Sequence, residues 1–303
     1  MKILVTGSSG LIGSALLPAL NADGHEIIRL VRIPTQSAGT IILWDPKTKD
    51  ILDKQKLEGL DAIVHLAGES LSTTNWTPEK KARIRNSRVQ GTHFLSETLS
   101  GLTKKPRVFL SASAVGFYGN RGDEPLKETS QPGTGFLSSV CRDWEMVTGH
   151  AADAGIRVVL LRLGMVLCPN GGALAKMLPV FRAGFGSRLG TGRQYVSWIS
   201  IEDTIRAIQH LLLTESVSGP VNVVSPRPVT NAEFTATLNR VLKKRGFPPV
   251  PAFLLRLLFG EIAQDVLLAS ARALPEKLAA AGFSFQHPDL ETALRRLLDT
   301  GRT

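Results

Sequence analysis

Short apolar runs and longer amphipathic stretches alternate through the first half of the chain. Lys2–Thr6 is an apolar run ending in a glycine-rich turn, and Leu11–Ala22 reads as a helix. Glu26–Val31 is a second run, Thr40–Leu43 a weaker third, and Asp61–Leu66 a fourth, entered through Gly59. The pattern predicts a long helix from about Thr77 to Leu102, with Pro78 in its first turn, where a missing N–H costs nothing. Arg107–Ser111 supplies a fifth strand, Leu137–Ala154 a helix and Arg157–Leu163 a sixth strand. Strands this apolar, separated by helices, imply a parallel sheet covered on both faces. Right-handed crossovers then give an α/β fold, a Rossmann-type doubly wound parallel sheet.

After about residue 170 the rhythm changes. Gly171, Gly172, Gly184, Gly186, Gly190 and Gly192 crowd one stretch, which reads as loop. A strand-like Val221–Val224 follows, and the GFPPVP segment from Gly246 to Pro251 is stiff and extended. Ala252–Phe259 and Ile262–Ala273 read as helices. Pro288 opens a last helix, with Asp289 and Glu291 in its first turn and Arg295 and Arg296 near its end, which complements the helix dipole. The expected division is a dinucleotide-binding domain over 1–170, with 195–225 returning to its sheet. A smaller substrate lobe takes 171–194 and 226–303.

With 303 residues, 43% hydrophobic and 20% charged, the chain has ample core and is not a disordered one. Two cysteines, Cys141 and Cys168, exclude a disulfide scaffold and suit a reducing compartment. No apolar run approaches the roughly 20 residues of a spanning helix. The opening MKILVTGSSG is too glycine-broken for a signal peptide, so the expected location is cytoplasmic. The formal net charge is +10. Its clusters, such as Lys80–Lys81–Arg83–Arg85 and Lys243–Lys244–Arg245, read as solvated helix faces more readily than as a nucleic-acid footprint. Neither a nucleic-acid nor a membrane partner is expected. A field of this sign suits an anionic small molecule. No His, Cys, Asp and Glu cluster has metal-ligand spacing.

The strongest motif is Thr6-Gly7-Ser8-Ser9-Gly10-Leu11-Ile12-Gly13. Placed between the first strand and the first helix, it is a dinucleotide fingerprint. Gly7 takes the tight turn, Gly10 lets backbone approach a pyrophosphate, and Gly13 lets helix and strand pack closely. The helix N-terminus then points free N–H groups at phosphate. The end of the second strand distinguishes the cofactors. NAD would call for a carboxylate there, to hold both ribose hydroxyls. This chain has Arg29-Leu30-Val31-Arg32 instead. Arg32 offers a forked donor to a 2′-phosphate, so NADP(H) is expected. The alternative for Arg32 is a plain surface arginine.

Further motifs give the chain its resemblance. They are the TGxxGxxG of Thr6–Gly13, the HLAG of His65–Gly68, and the serine-rich Ser111–Gly119 ending in Tyr118-Gly119. Trp198–Asp203 and Gly282-Phe283 with Pro288 add two more. The chain resembles an extended short-chain dehydrogenase/reductase, of the nucleoside-diphosphate-sugar epimerase-like branch of NAD(P)-dependent proteins. A family-specific C-terminal extension would occupy about 249–298. The resemblance implies that Leu66, Ala67, Gly68, Glu69, Arg88 and Ser111 lie along the cofactor. It also implies that Leu163, Gly164 and Met165 line its nicotinamide end. It offers Asp45 for the adenine, although Asp45 could equally be a plain strand end.

Such enzymes carry a Tyr-x-x-x-Lys pair, the lysine lowering the tyrosine pKa so that the tyrosine passes a proton. Here Leu137 and Cys141 fall at those two positions. Tyr118 and Tyr195 are the only tyrosines, and neither is followed four residues later by lysine. Ser113 remains as a hydroxyl for the reacting oxygen. Tyr118 is either a proton source or a packing residue, and Cys141 either a reactive thiol or an inert one. Arg88 stands where the family has an asparagine. With Arg162 and Arg193 it either brings positive charge to the pocket or makes surface ion pairs. Two functions stay open: an NADP(H)-dependent oxidoreductase or epimerase acting on an anionic or nucleotide-sugar-like molecule, and a non-catalytic NADP(H) sensor. Whether the chain is a monomer or a homodimer also stays open.

The Arg32 reading has a direct consequence. NADPH binds at least about tenfold tighter than NADH in a fluorescence titration, and Arg32→Ala removes the preference. Equal titration curves for wild type would contradict it.

Overall fold

The computed structural model describes residues 1–34, 40–71 and 76–299. Its first half builds β1 (Lys2–Thr6), α1 (Leu11–Ala22), β2 (Glu26–Val31), β3 (Thr40–Asp45), β4 (Asp50–Ile51) and β5 (Ala62–His65). Then come α2 (Pro78–Ser100), β6 (Val108–Ala114), β7 (Pro125–Leu126), α3 (Phe136–Met146), α4 (Gly149–Asp153) and β8 (Arg157–Leu163). The second half adds β9 (Met165–Leu167), α5 (Gly172–Arg182), β10 (Tyr195–Val196), β11 (Trp198–Ser200), α6 (Ile201–Leu213) and β12 (Gly219–Val223). The chain ends through β13 (Val229–Thr230), α7 (Asn231–Val241), α8 (Ala252–Phe259), β14 (Arg272–Ala273), α9 (Glu276–Ala280) and α10 (Leu290–Asp299).

Eight strands form one sheet in the order β12-β8-β6-β5-β1-β2-β3-β4. Every pairing is parallel except β3 with β4 at the edge. The chain reverses its direction of growth between β1 and β5. At such a switch point the loops after both strands diverge and leave a crevice at their C-terminal ends. The sheet residues alternate between two cores. Ile3, Val5, Val64, Leu110 and Leu161 pack with Leu16 and Leu20 of α1 and Ile208 and Leu211 of α6. Leu4, Leu30, Ile63 and Phe109 face the other way, against Leu95 and Leu99 of α2 and Ala151 of α4. A third cluster joins Leu174, Leu178 and Phe181 of α5 with Trp198, Phe234, Leu238, Leu294 and Leu297.

Three expectations are corrected. The Leu137–Ala154 helix is two helices, broken at Val147–Thr148, where the Thr148 hydroxyl turns back to donate to the Glu145 carbonyl. The glycine-crowded stretch contains α5, whose N-cap is Gly171. Ile262–Ala273 is not one helix. It is a π-helical turn over Ala263–Leu267 followed by β14, which pairs with β7. The apolar pattern there reflects burial against loops, which has no helical period of its own.

One carboxylate of α6 helps to tie down the last segment. Ser200 caps α6, its hydroxyl accepting the Asp203 N–H at 3.0 Å. The fully buried Asp203 accepts the N–H groups of Gln286 and His287, each at 2.8 Å. Asp203→Ala would leave both donors unmet and costs about 3 kcal/mol in urea unfolding. An unchanged urea midpoint would show that these two bonds contribute nothing to holding the C-terminal segment.

Candidate cofactor cleft and its buried network

The turn after β1 lies at the switch point. Gly7 has φ +63°, and a Cβ there would meet the Leu66 carbonyl carbon at 2.6 Å and the Ala67 nitrogen at 2.8 Å. A Cβ on Gly13 would meet the Gly7 oxygen at 2.3 Å. Only glycine lets the two loops and the helix close to this distance. Helix α1 starts from Gly10 with no side-chain cap and no acid in its first turn. Its leading N–H groups face outward without a competing carboxylate, which is what an anionic diphosphate requires. The residues present therefore fit a dinucleotide. Leu11 opens α1 and packs on the loop below β9: a Cβ on Gly171 would meet its Cδ1 at 2.6 Å. Beneath the turn, the buried Arg29 donates from Nε to the Ser8 hydroxyl at 3.0 Å. An arginine inside an apolar strand was the available signal for this strut.

A hydrogen-bonded chain fixes the neighbouring loop. The Thr6 hydroxyl oxygen accepts the N–H groups of Leu66 and Ala67, each at 3.2 Å. Its proton therefore goes to His65 Nδ1 at 2.7 Å. His65 Nε2–H then donates to the Thr92 hydroxyl at 2.9 Å, which also accepts Trp144 Nε1–H at 2.8 Å. Complete burial pushes the His65 pKa down to about 4, so the ring is neutral.

The remaining residues sort by place. Arg32 is exposed directly after β2. Asp45 is exposed, and its Oδ1 accepts the Lys47 N–H at 2.8 Å, which caps its own turn. Glu69 is paired to Lys80 at 2.7 Å, and that bond holds its carboxyl below the usual range. Gly164 packs so tightly that a Cβ would meet the Ser197 oxygen at 2.6 Å, which sets the path from Leu163 to Met165. Ser111 is buried inside β6, and its hydroxyl has no partner among the described residues.

Arg88 faces the cleft. Its Nη1 donates to the Glu69 carbonyl at 3.0 Å and the Ile84 carbonyl at 3.1 Å, and its guanidinium lies over the Trp144 ring at 5.2 Å. Cζ and Nη2 sit 3.4 Å from where a Gly68 Cβ would be.

Ser113, Tyr118 and Arg162 take another arrangement from the one expected. Arg162 is not on the surface: it grips Glu145 through Nε and Nη2, both at 2.8 Å. Glu145 Oε1 also accepts the Ser113 hydroxyl at 2.6 Å. Arg162 Nη1 donates to the Tyr118 hydroxyl at 2.9 Å, and Tyr118 donates to Asn222 Oδ1 at 2.7 Å. Tyr118 has no solvent exposure, and burial raises its pKa. Cys141 is also buried, and burial together with Glu145 pushes its thiol up to about 12, which makes it inert. Arg193 is exposed.

Sequence reasoning missed Asp265. From the π-helical turn, its Oδ2 accepts the N–H groups of Phe136 at 3.1 Å and Leu137 at 3.4 Å. It caps α3 across 129 residues of chain, beside the position the tyrosine would hold. Glu261, four residues earlier, pairs with Lys81 of α2 at 2.8 Å. Nothing in the local sequence around Asp265 signals this contact.

The sequence profile of the NAD dependent epimerase/dehydratase family matches residues 3–224. The chain belongs to that family. A second profile, a domain of unknown function designated DUF1731, matches residues 250–297. An epimerase family protein of Mycobacterium bovis is 43% identical over 293 residues, covering 96% of each chain. The chloroplastic epimerase family protein SDR39U1 homologue of Arabidopsis thaliana is 36% identical, over 98% of this chain and 87% of that one. The crystal structure of human epimerase family protein SDR39U1 (isoform 2) with NADPH superposes with a TM-score of 0.91 at 31% identity, covering 99% of both chains. UDP-N-acetylglucosamine 4-epimerase from Bacillus cereus, at 18% identity and a TM-score of 0.78, shares the fold.

The His65 chain makes stability depend on pH. Its folded pKa lies below the unfolded value, so its contribution is complete above about pH 6.5 and is lost as pH falls towards 4. The full loss is on the order of 3 kcal/mol. In His65→Asn, the slope of unfolding free energy against pH in that window drops by about one proton. An unchanged slope would contradict the neutral, buried ring.

Proposed function

We propose that this protein binds NADP(H) across the switch point and holds an anionic small molecule beside its nicotinamide end. Arg88 then supplies the fixed cation that the lysine of the family's pair would supply. The observation that carries this reading is the Arg88 guanidinium, held beside the Gly68 backbone by the Glu69 carbonyl and the Trp144 ring. The sequence likeness to a protein crystallised with NADPH supports the choice of cofactor. The uncapped α1 N-terminus would take the diphosphate, Arg32 the 2′-phosphate, and Arg88 the nicotinamide ribose or a ligand carboxylate or phosphate next to it. When bound, the cofactor supplies or accepts a hydride. The chain's own part is to position, to exclude water and to present positive charge. Proton transfer by Leu137 is chemically excluded, and Ser113 is already committed to Glu145. Turnover would therefore draw its proton from the ligand or from water.

A second reading is favoured by that same commitment. With Ser113, Tyr118 and Arg162 joined in a closed network, the protein would serve as an NADP(H) sensor whose bound state a partner reads.

Adenosine 2′,5′-bisphosphate carries the 2′-phosphate but no nicotinamide ribose, so it separates the two ends of the cleft. Arg88→Ala weakens NADPH about tenfold or more and leaves adenosine 2′,5′-bisphosphate unchanged in calorimetric titrations. Equal losses for both ligands, or none for either, would remove Arg88 from this role. NADPH consumption with any member of a panel of anionic carbonyl compounds selects the enzyme over the sensor.

A further inference from the structure

Two acid-free stretches of this chain come together in the second half. No Asp or Glu occurs between Asp153 and Glu202, or between Glu233 and Glu261. The structure lays part of one along part of the other. Phe247 N–H donates to the Gly186 carbonyl at 2.9 Å, Val250 N–H to Arg188 at 3.0 Å, and Gly190 N–H to Val250 at 2.8 Å. Cations stand along these segments and the helices that flank them: Arg182, Arg188, Lys243, Lys244, Arg245 and Arg256 are all exposed. None of these six makes an ion pair among the described residues.

Apolar side chains stand in the same region. Phe185 and Phe247 meet edge to face with ring centroids 5.5 Å apart, both more than half exposed. Helix α8 begins directly after this pairing, with Ala252 against Gly190. Only Leu255 of its leucines is buried. Phe253 is 69% exposed, Leu257 79% and Leu258 56%, and Leu254 adds to the same side of the helix. Four large apolar residues at this spacing form one unpartnered stripe, flanked by unpaired cations.

We infer that this face of the small lobe docks on an anionic lipid surface, with α8 lying in the interface plane. The absence of a spanning helix, which set membranes aside in the sequence, concerns crossing a bilayer and not lying on one. Surface attachment needs a modest apolar face and positive charge, and both are here. The cations draw the face to negative headgroups, each adding a share of the attraction that falls off within a Debye length. Phe253, Leu254, Leu257 and Leu258 then enter the headgroup boundary. Nucleic acid fits the charge but leaves four aliphatic and aromatic side chains in water, whereas a lipid headgroup boundary takes them up.

The test is co-sedimentation of the full chain with vesicles. One set is pure phosphatidylcholine, and the other contains about 30% phosphatidylglycerol. The protein pellets with the anionic vesicles only, and about 0.5 M sodium chloride releases it. Leu257→Glu, at a largely exposed position, reduces the bound fraction about tenfold without moving the thermal midpoint, and Lys243→Glu with Lys244→Glu does the same. No pelleting with either vesicle overturns the inference. So does equal pelleting with both. A dimer in light scattering that Leu257→Glu separates assigns the stripe to a second copy and overturns it as well. Oligonucleotide binding that survives Leu257→Glu, with no vesicle binding, assigns the face to nucleic acid.

Discussion

Arg162 and Glu145 hold together the part of this protein where chemistry would be expected. Their side chains are 4% and 10% exposed, and two hydrogen bonds of 2.8 Å join them. A buried ion pair is tolerated only when its remaining donors and acceptors are met. Here Ser113, Tyr118 and the Glu128 carbonyl meet them. The pair thereby clamps β6, β8 and α3 and the turn that carries Tyr118 into one unit. Removing either partner would strand a charge in the core, so the network is closed by physical necessity. The same closure commits the Ser113 and Tyr118 hydroxyls to partners within the protein.

The cofactor side has the opposite character. The Gly7–Gly13 turn leaves backbone donors uncovered, and Arg32 and Arg88 present charge that is not locked into buried pairs. One half of the cleft is preorganised for an anion, while the other half is saturated within the protein. A carboxylate from the C-terminal extension, Asp265, completes the arrangement by capping α3 where the absent tyrosine would start. That segment is therefore joined to α3 by hydrogen bonds as well as by chain connection.

Most of the sheet was legible because parallel strands buried on both faces must be apolar throughout, and Lys2–Thr6 and Arg157–Leu163 are nearly so. The glycine fingerprint was legible because its spacing answers to one steric demand. The Leu137 and Cys141 replacements were also visible, since a missing functional group needs no coordinates to be noticed. Other features were not legible, and each has its reason. Arg162 reads as a surface arginine until Glu145 is placed beside it, because a pairing 17 residues apart leaves no periodic trace. Asp265 acts across more than a hundred residues. Helix α5 hides behind glycines that serve its cap and the packing of Leu11.

The central claim is that the cofactor half of the cleft is intact and that Arg88 replaces the lost cation within it. A crystal structure of the NADPH complex tests this most directly. The account predicts the diphosphate on the Gly7–Gly13 turn, the 2′-phosphate at Arg32, Arg88 in contact with the nicotinamide half, and Tyr118 unmoved. A bound cofactor whose nicotinamide half lies away from Arg88, or a cleft left vacant at saturating NADPH, would contradict it.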